Sequence, residues 1–159
     1  HWPDRYAGGM FGQPDFLPSK YEEQKTEFVA FKELLAAMQE LIQAGKIWYI
    51  GVSNETPNGV CSFAELAKNF PDLYPKIVLI QNSCSLVVRK YFEAGLAEAC
   101  YHHKVRLLPY SPLASGTLSG KYRDKENSKN GRLLLFPGYM ERYLNSQNEA
   151  AVNAYCHLA

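Results

Sequence analysis

Three times along the chain, a stretch with apolar residues at helical spacing is paired with a short apolar run. The first helix is predicted from about Phe31 to Ala44. Phe31, Leu35, Met38 and Leu41-Ile42 share one face, and Gly45 supplies a left-handed stop. The run Ile47 to Val52 follows. Five of its six residues are apolar, aromatic or β-branched, so it reads as a strand buried on both faces. Thr56-Pro57 then offers an N-cap and a proline in the first turn of a helix whose apolar face is Val60, Phe63, Leu66 and Ala67, closed by Pro71. A strand from Lys76 to Ile80 ends in Gln81-Asn82-Ser83. A helix from Arg89 to His102 turns Phe92, Leu96, Ala99 and Cys100 inward, and a strand from Val105 to Leu108 ends in Pro109-Tyr110-Ser111-Pro112.

The strand starts Ile47, Ile77 and Val105 are 30 and 28 residues apart. A βα period of that length implies parallel strands near 47–52, 76–81 and 105–109, joined by right-handed crossovers. Each strand ends in amide or hydroxyl groups, and ligands of α/β sheets and barrels sit at such carboxyl ends. The period fails in two places. Residues 4 to 25, with Gly8-Gly9, Pro14 and Pro18, read as a long loop, and so do the Gly-, Ser- and charge-rich residues 116 to 145. A last helix is predicted from Ser146, in a capping box with Glu149, to the end of the chain. Three βα periods fall short of the roughly 250 residues of a full barrel. The expected architecture is therefore α/β: one domain over residues 1–159, part of a (β/α)8 TIM barrel and incomplete at both ends.

Composition narrows the partners. Hydrophobic content of 47% with 21% charged residues is that of a folded domain, and the net charge of +1 gives no footprint for nucleic acid or an anionic membrane. No apolar run approaches the roughly 20 residues of a spanning helix. The four scattered cysteines read as free thiols of a reducing compartment. With no signal peptide in view, that points to the cytoplasm, an organelle signal upstream of residue 1 being left open. The chain opens on His1 in place of Met, which marks it as a processed product or a piece of a longer protein. Asn54-Glu55-Thr56 matches a glycosylation acceptor, read as accidental without a secretory context. Gly116 to Tyr122 superficially resembles a P-loop, but it has three residues between the glycines and Tyr where Ser or Thr would bind Mg²⁺. His102-His103 suit a helix C-terminus, and no Cys or carboxylate is spaced with them for a metal.

Four motifs occur in order: His-Trp-Pro at 1–3, Gly-Lys-Ile-x-Tyr-Ile-Gly-Val-Ser-Asn at 45–54, Ile-Gln-Asn at 80–82, and Tyr-Ser-Pro-Leu-Ala-Ser-Gly-x-Leu-Ser-Gly-Lys-Tyr at 110–122. Together they resemble the aldo-keto reductase superfamily. Ser-Asn-Glu-Thr and the long loop after His-Trp-Pro are most similar to its Tas-type branch. The resemblance implies an NADP(H)-dependent oxidoreductase that reduces aldehyde or ketone carbonyls of small molecules, on a barrel covered here from the end of strand 4 to the helix before strand 8. It matches His1 to the histidine that orients the substrate carbonyl. It matches Ser53, Asn54 and Gln81 to the groups that bond the nicotinamide carboxamide, a ligand that needs both a donor and an acceptor. Tyr110 matches the aromatic residue stacked on the nicotinamide, Ser111, Leu113 and Ser115 the pyrophosphate loop, and Lys121 a basic residue near the phosphates. The alternative on residue grounds is that Ser53, Asn54 and Gln81 cap the following helices and that Tyr110 is a packed core tyrosine.

The sequence departs from that pattern too. Trp48 stands where the family usually has Arg, a change of packing or of a surface ion pair away from the active site. Cys84 stands where Tyr is common. Nothing in these residues matches the family's catalytic Asp, Tyr and Lys, so the chain alone is expected to be inactive. An alternative role is an NADP(H)-binding regulatory subunit similar to the β-subunits of voltage-gated potassium channels. No feature of the sequence sets an oligomeric state.

Overall fold

A computed structural model describes residues 1–8, 16–25, 28–124 and 128–159. The chain divides into two compact units, the first His1–Asn82 with Lys90–Leu108, the second Ser83–Arg89 with Pro109–Ala159. The first is the α/β unit. Helix α1 (Pro18–Gln24) and helix α2 (Phe31–Gln43) precede strand β1 (Ile50–Ser53), and helix α3 (Pro57–Asn69) leads to strand β2 (Ile77–Ser83). Helices α4 (Lys90–Glu93) and α5 (Leu96–His103) lead to strand β3 (Arg106–Tyr110). The strands form a parallel sheet in the order β1-β2-β3 that does not close, consistent with part of a (β/α)8 barrel.

Local chemistry explains most of these boundaries. Gly45, at φ 68°, ends α2 in a Schellman motif: Lys46 N–H donates to Leu41 O at 3.0 Å and Gly45 N–H to Ile42 O at 2.9 Å. Thr56 caps α3, its hydroxyl oxygen accepting from Gly59 N–H at 3.2 Å, with Pro57 in the first turn. The core joins Leu35, Val60, Phe63, Ile77, Ile80, Leu96 and Val105, with Phe31 edge-on to Phe63 at 4.6 Å between ring centroids.

The structure corrects several expectations. Strand β1 begins only at Ile50. Trp48 and Tyr49, 83% and 74% exposed, lie outside it, at the edge of a sheet in which β1 pairs, among the described residues, with β2 alone. A register shift follows Ile50, and Gly51 lies so close to Leu79 that a Cβ there would stand 2.4 Å from Leu79 Cδ1. The helix predicted over Arg89 to His102 is two helices, because Gly95 at φ 91° interrupts the i→i−4 ladder. The inward residues Leu96, Ala99 and Cys100 are nonetheless buried, and Phe92 packs against them. The stretch read as a loop over 4–25 contains α1. That helix starts on Pro18 and buries no residue, so it leaves no periodic signal. Residues 9–15 of that stretch lie outside the described residues.

The second unit is built from turns. Ala114–Ser119 and Lys121–Arg123 are 3-10 turns, helix α6 spans Arg132–Leu135, and a further 3-10 turn covers Glu141–Tyr143. These elements replace the featureless loop expected over 116–145, of which residues 125–127 lie outside the described residues. Ala114, Leu133 and Tyr143 form their core. Helix α7 (Ser146–Leu158) closes the unit, but its cap is Asn145, not Ser146. Asn145 Oδ1 accepts from Asn148 N–H at 2.9 Å while its Nδ2 donates to Arg142 O at 2.8 Å, two bonds that outcompete the expected Ser146–Glu149 box. No helix among the described residues is long and apolar enough to cross a membrane.

Candidate functional site

The first group of candidate residues gathers at the carboxyl ends of β1 and β2. Parallel pairing sets Ser53 beside Gln81. Ser53 Oγ donates to Gln81 O at 2.9 Å, and Asn54 N–H donates to the same carbonyl at 3.0 Å. Asn54 turns away from the strand at φ 55°, a left-handed conformation that Asn tolerates better than most residues. Its Nδ2 then donates to Ser53 Oγ at 3.2 Å and to His1 O at 3.4 Å. The structure thus brings His1, Ser53, Asn54 and Gln81 together. Asn54 is 3% exposed, which also removes it as a glycosylation acceptor. Gln81 is half-buried, and its side-chain amide makes no hydrogen bond to the described residues.

Beside these residues lies a buried polar network whose Glu55, Thr56 and Asn82 fall within motifs read from the sequence, but which nothing in the sequence joined to Arg5. Arg5 lays its guanidinium fork on Glu55, Nη1 to Oε1 and Nη2 to Oε2, both at 2.7 Å. Arg5 Nη2 also donates to Thr56 Oγ1 at 3.0 Å, and the guanidinium stacks over Phe31 at 5.0 Å from the ring centre. Glu55 Oε2 accepts from Thr56 N–H at 2.9 Å, and Glu55 O accepts from Asn82 Nδ2 at 3.2 Å. Asn82 is itself buried, and its Oδ1 has no hydrogen-bond partner among the described residues. Arg5 and Glu55 are 50 residues apart, so no spacing rule connects them. The only hint in the sequence is a carboxylate directly after the Ser-Asn pair. A cavity of about 350 Å³ opens beside the network, lined by His1, Trp2, Lys25, Ser53 and Glu55 among others.

The second group lies in the second unit. Tyr110 ends β3 half-buried. From Ser111 onward the backbone is dominated by left-handed residues, with φ 54° at Ser111, 49° at Ala114, 56° at Ser115, 95° at Gly116 and 76° at Gly120. Much of the loop's N–H capacity is spent within it: Gly116 N–H donates to Leu113 O at 2.8 Å, Leu118 N–H to the same carbonyl at 3.3 Å and Gly120 N–H to Thr117 O at 3.0 Å. The loop is tied internally: Ala114 N–H donates to Ser111 O at 2.8 Å, Thr117 Oγ1 to Ala114 O at 3.0 Å and Ser119 Oγ to Gly116 O at 2.7 Å. Leu113 is 57% exposed. Lys121 folds back over the loop. Its Nζ lies 5.0 Å from the Tyr122 ring centre and so close to Gly116 that a Cβ there would meet it at 2.9 Å.

Burial pushes the Cys100 thiol up, with Cys61 adding to it, and Glu22 holds the exposed Lys25 ammonium up. None of the four cysteines forms a disulfide. No group of three or more metal-ligating side chains comes together among the described residues.

With this geometry in view, comparison with known proteins gives a consistent result. The family model for the Aldo/keto reductase family matches residues 1–159. An aldo-keto reductase of Babesia bovis is 38% identical over 165 residues, covering 100% of this chain and 57% of the relative. Protein tas of Escherichia coli K12 is 42% identical over 159 residues, covering 100% of this chain and 43% of the relative. The L-glyceraldehyde 3-phosphate reductase of the same bacterium is 30% identical over 110 residues, 68% of this chain and 30% of that protein. The chain spans about half the length of the first two relatives.

Proposed function

Because the chain belongs to the aldo/keto reductase family, we propose that it carries cofactor- and substrate-binding groups of an NADP(H)-dependent oxidoreductase acting on aldehyde or ketone carbonyls. The observation that carries this reading is the meeting of His1, Ser53, Asn54 and Gln81 through hydrogen bonds at two adjacent strand ends. The residues fit a nicotinamide carboxamide. Gln81 offers an uncommitted N–H donor and C=O acceptor in one side chain, and the 3.4 Å bond from Asn54 to His1 is long enough to exchange for a ligand. Hydride donation to a carbonyl carbon is the chemistry this cofactor supplies when bound. Here His1 would direct an imidazole N–H at the substrate carbonyl oxygen. In the second unit Tyr110 would offer an aromatic face to the nicotinamide ring. Ser111, Leu113 and Ser115, with Lys121, would bind phosphate oxygens through backbone N–H groups, hydroxyls and a positive charge.

A fluorescence titration of NADPH against the purified chain tests this. Saturable binding is expected, and Gln81→Ala should weaken it several-fold to about tenfold, the loss of one or two hydrogen bonds. A wild-type chain that never saturates overturns the reading. Since none of its 159 residues matches the family's Asp, Tyr and Lys, NADPH consumption with an aldehyde should stay at background. Turnover above background would overturn that part alone.

A further inference from the structure

We propose that the buried Arg5–Glu55 ion pair, with Asn82, is the positioning device of the strand-end site, setting the orientation of Asn54 and the place of His1. The proposal rests on the cofactor reading above and adds residues that contact no ligand. Three ties converge on Glu55. Its backbone is joined to Asn54, its carbonyl accepts from Asn82, the neighbour of Gln81, and its carboxylate holds Arg5, four residues after His1. Three of the four residues proposed to meet cofactor or substrate in this unit, His1, Asn54 and Gln81, are therefore linked to Glu55 through Arg5, the backbone or Asn82.

The pair is a poor choice if holding the fold is its only task. Both side chains are nearly out of water, 10% and 4% exposed, and desolvating two charges offsets much of their attraction. Replacing a buried ion pair by an apolar pair of similar volume often leaves stability unchanged or raises it. A bidentate fork adds direction. Two parallel bonds of 2.7 Å leave the carboxylate plane no freedom, and the third bond, to Thr56 Oγ1, fixes the guanidinium to the start of α3. The residue that benefits is Asn54, whose left-handed φ of 55° carries strain that must be held from outside. Gly59 accommodates the device: a Cβ there would stand 1.8 Å from Glu55 Oε2 and 2.7 Å from Arg5 Nη2.

The test compares the full chain with the double variant Arg5→Met/Glu55→Leu and with Arg5→Lys, which keeps the buried charge paired but cannot form the fork. Thermal unfolding reads the fold, the Asn54 side-chain amide resonances and their hydrogen exchange read the positioning, and NADPH titration reads the site. The double variant should keep its unfolding midpoint, lose the shifted and protected Asn54 signal, and bind NADPH roughly tenfold to a hundredfold more weakly. Arg5→Lys should move both site readouts the same way by a smaller factor. It decides the matter if the double variant fails to fold. An Asn54 signal and NADPH affinity unchanged in the variants would make the pair merely structural and overturn the proposal. If the wild-type chain binds no NADPH, the cofactor reading fails, while the Asn54 resonances still decide the positioning claim.

Discussion

The two units hold their candidate residues by different physics. In the first, among the described residues, ten buried apolar side chains from α2, α3, α5 and the strands form one core, and the site is the polar end of that layer. In the second, three buried residues form the core, and the loop from Ser111 to Gly120 is shaped by five left-handed residues and short local hydrogen bonds. Burial fixes the first group and backbone conformation fixes the second. A change in apolar volume should therefore disturb the first more, and a change in backbone freedom the second.

The largest expected effect follows from that division. Ile80 is fully buried between the strand-end residues and the helices, and Ile80→Ala should cost about 2–5 kcal/mol. Leu133, also buried, belongs to a core of short turns that can collapse around a void, so Leu133→Ala should fall at the low end of that range. Amide hydrogen exchange measured residue by residue checks both. Faster exchange across β1 and β2 is expected in the first variant, and a change confined to the second unit in the other. Equal losses would mean that the two cores are equally rigid.

Backbone substitutions should reverse the ranking. Gly116→Ala forces a Cβ onto a residue at φ 95° and against Lys121, so about 1–2 kcal/mol should be lost and Lys121 displaced from the loop. Gly45→Ala, at φ 68° with open space around it, carries only the left-handed strain, about 1 kcal/mol. Thermal midpoints of the two variants rank them. A Gly116→Ala chain as stable as Gly45→Ala would mean that the loop yields where it is drawn as fixed.

How much of each unit was legible in the sequence follows from the same contrast. Burial writes itself into periodicity, so α2, α3 and the three parallel strands could be read from apolar positions such as Leu35, Ile50, Val60, Phe63, Ile77, Ile80 and Val105. What failed there was local. Gly95 divides a helix whose apolar spacing runs straight through it, and at the edge of the described sheet Trp48 and Tyr49 lie in water although their residue types suit a strand. Left-handed turns have no period, so the loop after Tyr110 could be recognised only by resemblance to a motif. Beyond the carboxylate after Ser53-Asn54, nothing in the sequence pointed to the Arg5–Glu55 pair, since a contact across 50 residues exists only once the strand and the chain before it are folded.

The smallest effect is also the sharpest, because sequence and structure assign the start of α7 to adjacent residues. Ser146 followed by Glu149 fits a capping box, yet in the structure Asn145 has the extended backbone of a cap, φ −90° and ψ 161°, and Ser146 already lies in the helix. A cap accepts from an N–H that would otherwise have no partner, and Asn145 Oδ1 does so from Asn148 at 2.9 Å. Asn145→Ala should therefore cost about 1 kcal/mol. Ser146→Ala, at an exposed first-turn position, should stay within about 0.5 kcal/mol of the wild type. Helix α7 packs on the turns around Ala114 to Ser119, so fraying of its first turn should raise amide exchange there before it lowers the global midpoint. If Ser146→Ala were the costlier change, the capping box would form after all, α7 would start one residue later, and the second unit would be more regular than its turns suggest.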